Sequence, residues 1–448
     1  MIAILVVILA CLPIIANHPT SPALLADSDT GFLLQTIREK QQPLSWFVGD
    51  WPLGNHFYRP VPTLTFEIDN RLYSNNAAGY GWTNTFICIS CVFMLFWFAR
   101  EFLDNVSVAA ACAALFALWS VDWGLYLDTV AYVLAGLIFV IGVWRHRGAV
   151  QRYLPGALLS IYIGTELTGM STLGFRTEGW LPGRTATVMT FFALASMASY
   201  ARYARLHSKR ATPAITPLDL PATRTSVQAA PAKPPAWLWP VLSLTCAAAA
   251  LASYEQAVMV PAALTAVFMA FRLRGYKAQA ILPAASWVLL FAYLAFRHAI
   301  IPSTTSAYQA QQMRHGVSVL FEIAGYLAPA LMELRQLTIV LADGAVMLLT
   351  IAPFTLMLGV VANAVAYYEA RKQWVIAFST LGLSLVTYLP MAFVKTFDHY
   401  HYWPMALRSI FVVTLLGIAG QDLISAASLQ ALQAPKRLSP APGSLPHP

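Results

Sequence analysis

The sequence predicts an all-α polytopic membrane protein with about twelve transmembrane helices and a long polar first loop that carries short interfacial helices. Of its 448 residues, 58% are hydrophobic and 11% are charged, whereas soluble domains average about 25% charged residues. Apolar runs close to the ~20 residues that a bilayer requires recur along the chain. One large soluble core would not need that spacing, so the composition predicts a membrane protein.

Twelve apolar runs are the predicted spans. We expect the first, residues 2–16, to remain as a span, because the basic residues that open a signal peptide are missing; a cleaved signal, or a lipoprotein signal ending at Cys11, is the alternative. The other runs cover residues 82–99, 106–121, 125–144, 154–175, 182–203, 237–253, 257–271, 280–296, 337–364, 374–394 and 404–420. Residues 316–335 are apolar but include Glu322, Glu333 and Arg335, which predicts an amphipathic or re-entrant helix at the outer face.

The basic residues predict an orientation. The net charge is +8, and Lys and Arg cluster beside the ends of apolar runs, mainly in alternate turns. Because basic turns remain in the cytoplasm, both termini are predicted to be cytoplasmic and the loop at residues 18–80 extracytoplasmic. This distribution argues against nucleic acid as a partner. Compact outer loops and a single cytoplasmic linker suit a multi-pass protein of a bacterial inner membrane.

The chain divides into four predicted segments. Residues 1–205 form an N-terminal membrane half with the first loop and spans one to six, and residues 236–425 form a C-terminal membrane half. Residues 206–235 are rich in Pro, Ala, Thr and basic residues without apolar periodicity, which predicts a flexible cytoplasmic linker. The Ala- and Pro-rich residues 426–448 are predicted to be a disordered cytoplasmic tail.

Short helices are expected inside the first loop. Residues 30–40 favour a helix whose first-turn amides Asp29 can cap. Four prolines between residues 43 and 62 should break any longer helix. Residues 63–72 fit both a helical and a strand period. A helix in the headgroup plane is favoured, because an open strand edge would leave backbone groups unpaired at membrane depth.

The first loop carries the leading candidates for chemistry, Asp27 and Asp29, which are separated by Ser28. In an extended segment, residues two apart point to the same side. Two carboxylates so placed can hold a divalent cation, or one can act as a general base. The alternative is that Asp29 caps a helix and Asp27 is solvated. A divalent cation at this pair is the one cofactor that the sequence suggests.

A second cluster follows in the same loop, where His56, Tyr58 and Arg59 combine an imidazole, a phenol and a guanidinium. Arg suits a phosphate because it donates two parallel hydrogen bonds. Snorkelling of these side chains among interfacial aromatic residues explains the block equally well.

Ionisable residues near other predicted outer turns are further candidates. Asp122 follows the third span and Glu255 precedes the eighth. Charges at membrane depth are costly and usually face a cavity, although that cost vanishes in the headgroup layer. Asp398 and His399 precede the last span, where His399 and His401 could join acids around a metal. Interfacial aromatic residues are the commoner explanation of that block.

Taken in order, these blocks resemble the GT-C glycosyltransferases, in particular the protein O-mannosyltransferase-like branch. That pattern has early acids, a His-x-x-Tyr-Arg-Pro-Leu-type block, an Asn-Pro-x-Gly-Tyr-type start of the second span, a Lys-Glu turn and a late Glu-Arg-Tyr-x-Tyr-x-Pro. The corresponding blocks here are Asp27/Asp29 and residues 56–61, 76–84, 254–255 and 398–404. Tyr254 and His399 depart from the pattern, which has basic residues there.

The resemblance implies a hexosyl- or mannosyltransferase-like enzyme. Its donor would be a sugar linked to polyprenyl phosphate among the membrane lipids, and its acceptor a protein, lipid or glycan outside. Asp29, or else Asp27, would deprotonate the acceptor hydroxyl as it attacks the anomeric carbon with inversion. The leaving phosphate would be stabilised by Arg59, Arg297, Lys395 or His399. The remaining substrate-binding candidates are His56, Tyr58, Asp122, Glu255 and Asp398.

Two other functions fit the same chain. Twelve spans with a basic linker after the sixth also suit a secondary transporter built from two bundles. Against a transporter, the turn at residues 100–104 lacks the Gly-rich basic motif of major facilitators, and a long acidic outer loop has no evident role. A catalytically silent relative that acts in envelope assembly is the third possibility, because of the departures at Tyr254 and His399.

Overall fold

The computed structural model describes residues 2–40, 42–121, 176–210, 235, 237–302, 304–327 and 371–415. These residues are mostly helical and contain no β-strand; an isolated antiparallel bridge joins Met313 to Val394. The helices are α1 (Ile2–Ala16), α2 (Ala23–Ala26), α3 (Ser28–Lys40), α4 (Pro60–Tyr73), α5 (Ala77–Leu103), α6 (Val106–Trp119), α7 (Arg184–Arg210), α8 (Leu238–Leu251), α9 (Val260–Leu273), α10 (Ile281–Ile300), α11 (Ala307–Gln312), α12 (Val317–Leu327), α13 (Arg371–Tyr388) and α14 (402–415). The 3₁₀ segments are Pro43–Val48, Leu181–Gly183, Glu255–Met259, Leu389–Phe393 and Asp398–His401.

Within the described residues, four helical segments are long and apolar enough to cross a membrane: Ala77–Leu103, Glu255–Leu273, Ile281–Ile300 and Trp374–Phe393. Such segments are typical of an integral membrane protein. Shorter apolar helices (α1, α6, α8 and α12) coincide with other runs seen in the sequence. Helix α7 has 27 residues, but its Thr, Ser and Arg content keeps it outside the apolar group. The runs at 125–144, 154–175 and 337–364 lie outside the described residues.

The long helices share one apolar core. Helix α5 packs on α1, α6 and α7; α7 packs on α8, and α9 packs on both α10 and α13. The buried side chains of this core run from Val7 in α1 to Leu415 in α14. The two predicted membrane halves therefore pack as one body, since the α7–α8 contact joins them.

The first loop forms a small helical layer with its own apolar core, which includes Leu33, Trp46 and Phe66. Residues 63–72 belong to helix α4, so the helical prediction is confirmed and the strand alternative is excluded. As predicted, no α-helix of the described residues runs through the proline-containing stretch 43–59. Pro60 stands in the first turn of α4, where a fixed φ and a missing N–H suit the start of a helix.

A buried ion pair fastens this layer to the bundle. Arg184 at the start of α7 is 0% exposed and Asp69 in α4 is 3% exposed, with 2.6 Å between Nη1 and Oδ2. Arg184 Nε also donates to Asn84 Oδ1 (2.6 Å), and Thr83 Oγ1 donates to Asp69 Oδ1 (2.8 Å). Burial of both charges is tolerated because each is paired and further hydrogen-bonded. This network fixes α4 against α5 and α7.

The polar connections meet at one end of the bundle. Val61 N of the first loop donates to Ala252 O after α8, and Asn84 Nδ2 donates to Glu178 O before α7. Lys395 N before α14 donates to Gln312 O at the end of α11. Each of these hydrogen bonds joins segments that are far apart in the sequence.

Candidate functional site

The acidic pair lies at the junction of α2 and α3. The extended-segment geometry expected for it was wrong, because Asp27 links the two helices while Asp29 lies in the first turn of α3. The capping prediction was also wrong, since Thr30 N donates to Asp27 Oδ2 (3.4 Å), which makes Asp27 the capping residue. Both side chains are exposed at the surface of this layer.

The segment before α7 brings an aromatic ring and a guanidinium to this pair. Trp180 Nε1 donates to Asp27 Oδ2 (3.1 Å). The Arg176 guanidinium lies 5.1 Å from the centre of the Trp180 ring and 5.4 Å from that of Phe397. Among the described residues, Arg176 forms no ion pair within 4.0 Å. It can therefore offer its donors to an anionic ligand.

The electrostatics separate the two acids. Nearby protein shields part of Asp29 from water, which raises its pKa; the Asp27 charge raises the pKa further, and Arg176 opposes the rise. Asp27 already accepts hydrogen bonds from Trp180 and Thr30, whereas no protein hydrogen bond to Asp29 is found in the described part of the chain. Asp29 is the better proton acceptor of the two.

Asp398 and His399 reach the same neighbourhood from the segment before α14. Burial raises the pKa of Asp398, and Arg176 partly offsets that rise. His399 is 5% exposed, with its ring 5.3 Å from that of Trp180 and its Nε2 3.2 Å from Tyr254 Oη. Burial holds the pKa of His399 well below its ordinary value, and the charges of Arg59 and Arg176 lower it further. A neutral imidazole does not supply the positive charge expected of a phosphate ligand.

Arg59 and Glu255 form an ion pair across the two halves of the chain. Arg59 Nε and Nη2 approach Glu255 Oε2 at 3.0 and 2.5 Å. The guanidinium is 8% exposed, and the ring centres of Trp51, Phe57 and Tyr254 lie 4.3–4.5 Å from it. The sequence predicted that Arg59 would be free to bind a phosphate and that Glu255 would bind a hydroxyl group. In the structure these two side chains neutralise each other. Sequence spacing could not reveal this pair, since 196 residues separate its members.

The other predicted residues have varied positions. His56 and Arg297 line a cleft at the end of α10. The Tyr58 hydroxyl donates to Phe47 O (3.1 Å), which gives it a structural role, and Lys395 has an exposed side chain. Asp122 lies outside the described residues.

Arg176 and Trp180 were not among the predicted site residues. Their signal in the sequence is a basic and an aromatic residue in the short polar segment that precedes α7.

A metal centre finds no support within the described ranges, which contain no group of three or more His, Cys, Asp or Glu side chains placed to share an ion. Asp27 and Asp29 alone would supply at most four carboxylate oxygens, fewer than the six or more oxygens that Ca²⁺ takes up in proteins.

Comparison with known proteins assigns no family to this chain. No protein-family model, no curated protein and no solved structure matches it.

Proposed function

We propose that the protein is a membrane glycosyltransferase. It would move a sugar from a polyprenyl-phosphate-linked donor to a protein, lipid or glycan acceptor at the extracytoplasmic face, with inversion at the anomeric carbon. The observation that carries the proposal is the cluster of Asp27, Asp29 and Arg176 at one polar end of an apolar helix bundle. A lipid-linked sugar needs both an apolar surface for its chain and a polar end for its transfer.

The cluster divides the chemistry between its members. Asp29 takes the proton of the acceptor hydroxyl while that oxygen forms a bond to the anomeric carbon and the bond from that carbon to the phosphate oxygen breaks. Trp180 and the Thr30 amide hold Asp27 in place, and its negative charge favours proton transfer to Asp29. Arg176 lies close enough to Asp29 to influence its charge and stabilises the departing phosphate. Asp398 lies within the field of the same guanidinium and can bind a sugar hydroxyl.

Single replacement of the acids tests this proposal. The full-length protein, supplied with a panel of polyprenyl-phosphate-linked hexoses and a cell-envelope extract as the source of acceptor hydroxyls, should release polyprenyl phosphate. Asp29→Asn should lower that rate by about 10²–10⁴-fold, the usual contribution of a general base, and Asp27→Asn by less. Glu39→Gln is the matched control, because Glu39 is an exposed acid at the far end of α3. Wild-type rates in both Asp variants would remove the proposed base.

A transport assay separates the proposal from its main rival. Proteoliposomes that contain the wild-type chain should show no counterflow of a soluble solute. Counterflow that persists in the Asp29→Asn variant, without release of polyprenyl phosphate by the wild type, would identify a secondary transporter instead.

A further inference from the structure

Helix α10 presents an apolar stripe that leads to a polar cleft. It is the least buried of the four candidate spans: 22% of its apolar 18-residue stretch is buried, against 44–50% for the other three. Trp287, Phe291 and Leu294 are spaced by four and three residues, and they are 38, 65 and 42% exposed. His298, four residues further on, is also exposed. These spacings place all four side chains on one helical face.

The cleft at the end of this stripe collects hydrogen-bond donors around the Arg297 guanidinium. Its lining includes His56, Arg297, His298, Thr305 and Gln309. Arg297 Nη2 donates to His56 O (2.9 Å), and this is its one protein hydrogen bond among the described residues. A guanidinium carries five N–H donors, so most of them remain for a ligand. In contrast with Arg59, no carboxylate of the described residues neutralises Arg297.

His56 makes the wall of this cleft rigid. Its φ of +63° lies in the left-handed region, which a non-glycine residue keeps only where the surrounding structure holds it. The backbone N–H of His56 donates to Asp50 Oδ2 (3.0 Å), and its Nδ1 lies 2.8 Å from Thr304 O. Because a carbonyl oxygen only accepts, Nδ1 carries the proton in that contact. In the neutral ring Nε2 is then an acceptor, so His56 shapes the cleft while Arg297 supplies the donors. Hydrogen bonds from three separate segments hold His56 in place.

We propose that this cleft binds the phosphate group of a membrane lipid, with the hydrocarbon chain of that lipid along the apolar stripe of α10. The stripe and the cleft match the two parts of such a molecule: apolar surface for the chain, then Arg297 and His298 for the anion. A guanidinium gives a phosphate two parallel, charge-assisted hydrogen bonds. The inference concerns binding and does not depend on a transfer reaction.

Three soluble probes separate the chain from the charge. Farnesyl phosphate has both parts, farnesol lacks the anion, and inorganic phosphate lacks the chain. Binding of each to the full-length protein in detergent can be measured by microscale thermophoresis. Farnesyl phosphate should bind at least tenfold more tightly than either other probe. Equal affinity for inorganic phosphate would show a site for the free anion and would overturn the proposal, as would equal affinity for farnesol.

Two variants localise the binding, and one serves as the control. Arg297→Gln should weaken farnesyl phosphate binding by about tenfold or more, the usual effect of losing a hydrogen bond to a charged group. Phe291→Ser should weaken binding by several-fold through loss of chain contact. Arg71→Gln should leave it unchanged, because this arginine is 63% exposed on α4. Unchanged binding in both Arg297→Gln and Phe291→Ser would place the lipid elsewhere.

The source of the lipid follows from competition. If phosphatidylglycerol and undecaprenyl phosphate displace farnesyl phosphate equally well, the cleft is a general site for anionic phospholipids. Preference for undecaprenyl phosphate would show a site for polyprenyl carriers. Both outcomes support a lipid phosphate in the cleft, whereas failure of both lipids to compete would refute it.

Discussion

Removal of the Glu255 carboxylate should destabilise the protein more than removal of both charges of the Arg59–Glu255 pair. In Glu255→Gln, the Arg59 guanidinium stays 8% exposed among three aromatic rings without its counter-ion. Loss of one partner from a buried pair costs about 3–5 kcal/mol. Glu255 is 24% exposed, and water can partly replace it, which favours the lower value of about 3 kcal/mol.

The expected loss can be followed by thermal unfolding in detergent. Domains of 150–250 residues change Tm by about 2–4 °C per kcal/mol, and this longer chain should change by less, so we expect a fall of roughly 3–6 °C. The variant Arg59→Met with Glu255→Gln keeps an apolar side chain among the rings and should recover most of that loss. Glu39→Gln, on the exposed face of α3, should leave Tm unchanged.

Two results would refute this reasoning. A Tm of Glu255→Gln equal to that of the wild type would mean that water already screens Arg59. A double variant less stable than Glu255→Gln would mean that the net attraction between the charges, rather than an uncompensated charge, sets the cost.

Two further perturbations test the site and its support. Trp180→Phe removes the indole N–H that binds Asp27 but keeps a ring against His399, so the rate of sugar transfer should fall about tenfold with little change in Tm. Burial raises the pKa of Glu178 to about 7, although a hydrogen bond from Thr85 opposes the rise. Because this folded-state pKa exceeds the ordinary value of 4.5, stability should fall by about 3 kcal/mol as the pH rises from 4.5 through 7. In Glu178→Gln, the Tm should vary less over that range, and an unchanged pH profile would contradict the assignment.

The apolar runs predicted several helices well because length and composition alone decide them. Residues 82–99 fall inside α5, and all but the first residue of the run 280–296 fall inside α10. The limits of α4 were harder to place, since its sequence fits two periods and its prolines could either end or begin a helix. In the structure, Pro60 begins it, and Asp69 faces inward to Arg184.

The candidate site was predictable as a neighbourhood but not as a set of contacts. The charge pattern predicts that Asp29, Glu255 and Asp398 lie on the same side of the membrane. In the structure, their segments meet at one end of the bundle. Which charge faces which depends on packing between residues far apart in sequence. For that reason Arg59 was expected to be free for a phosphate, while Arg176, which faces Asp29, was overlooked.

The contacts between the first loop and the turn after α8 limit how this protein can be recombined. Arg59 reaches Glu255, and the amide of Val61 donates to Ala252, so each half supplies part of the other's polar surface. A hybrid that takes residues 1–205 from a relative would need the matching turn at 252–255 from the same parent. If the first loop were transferred alone, the Arg59 guanidinium would be buried without a carboxylate partner. The two regions should therefore be inherited as one unit, although nearly two hundred residues lie between them.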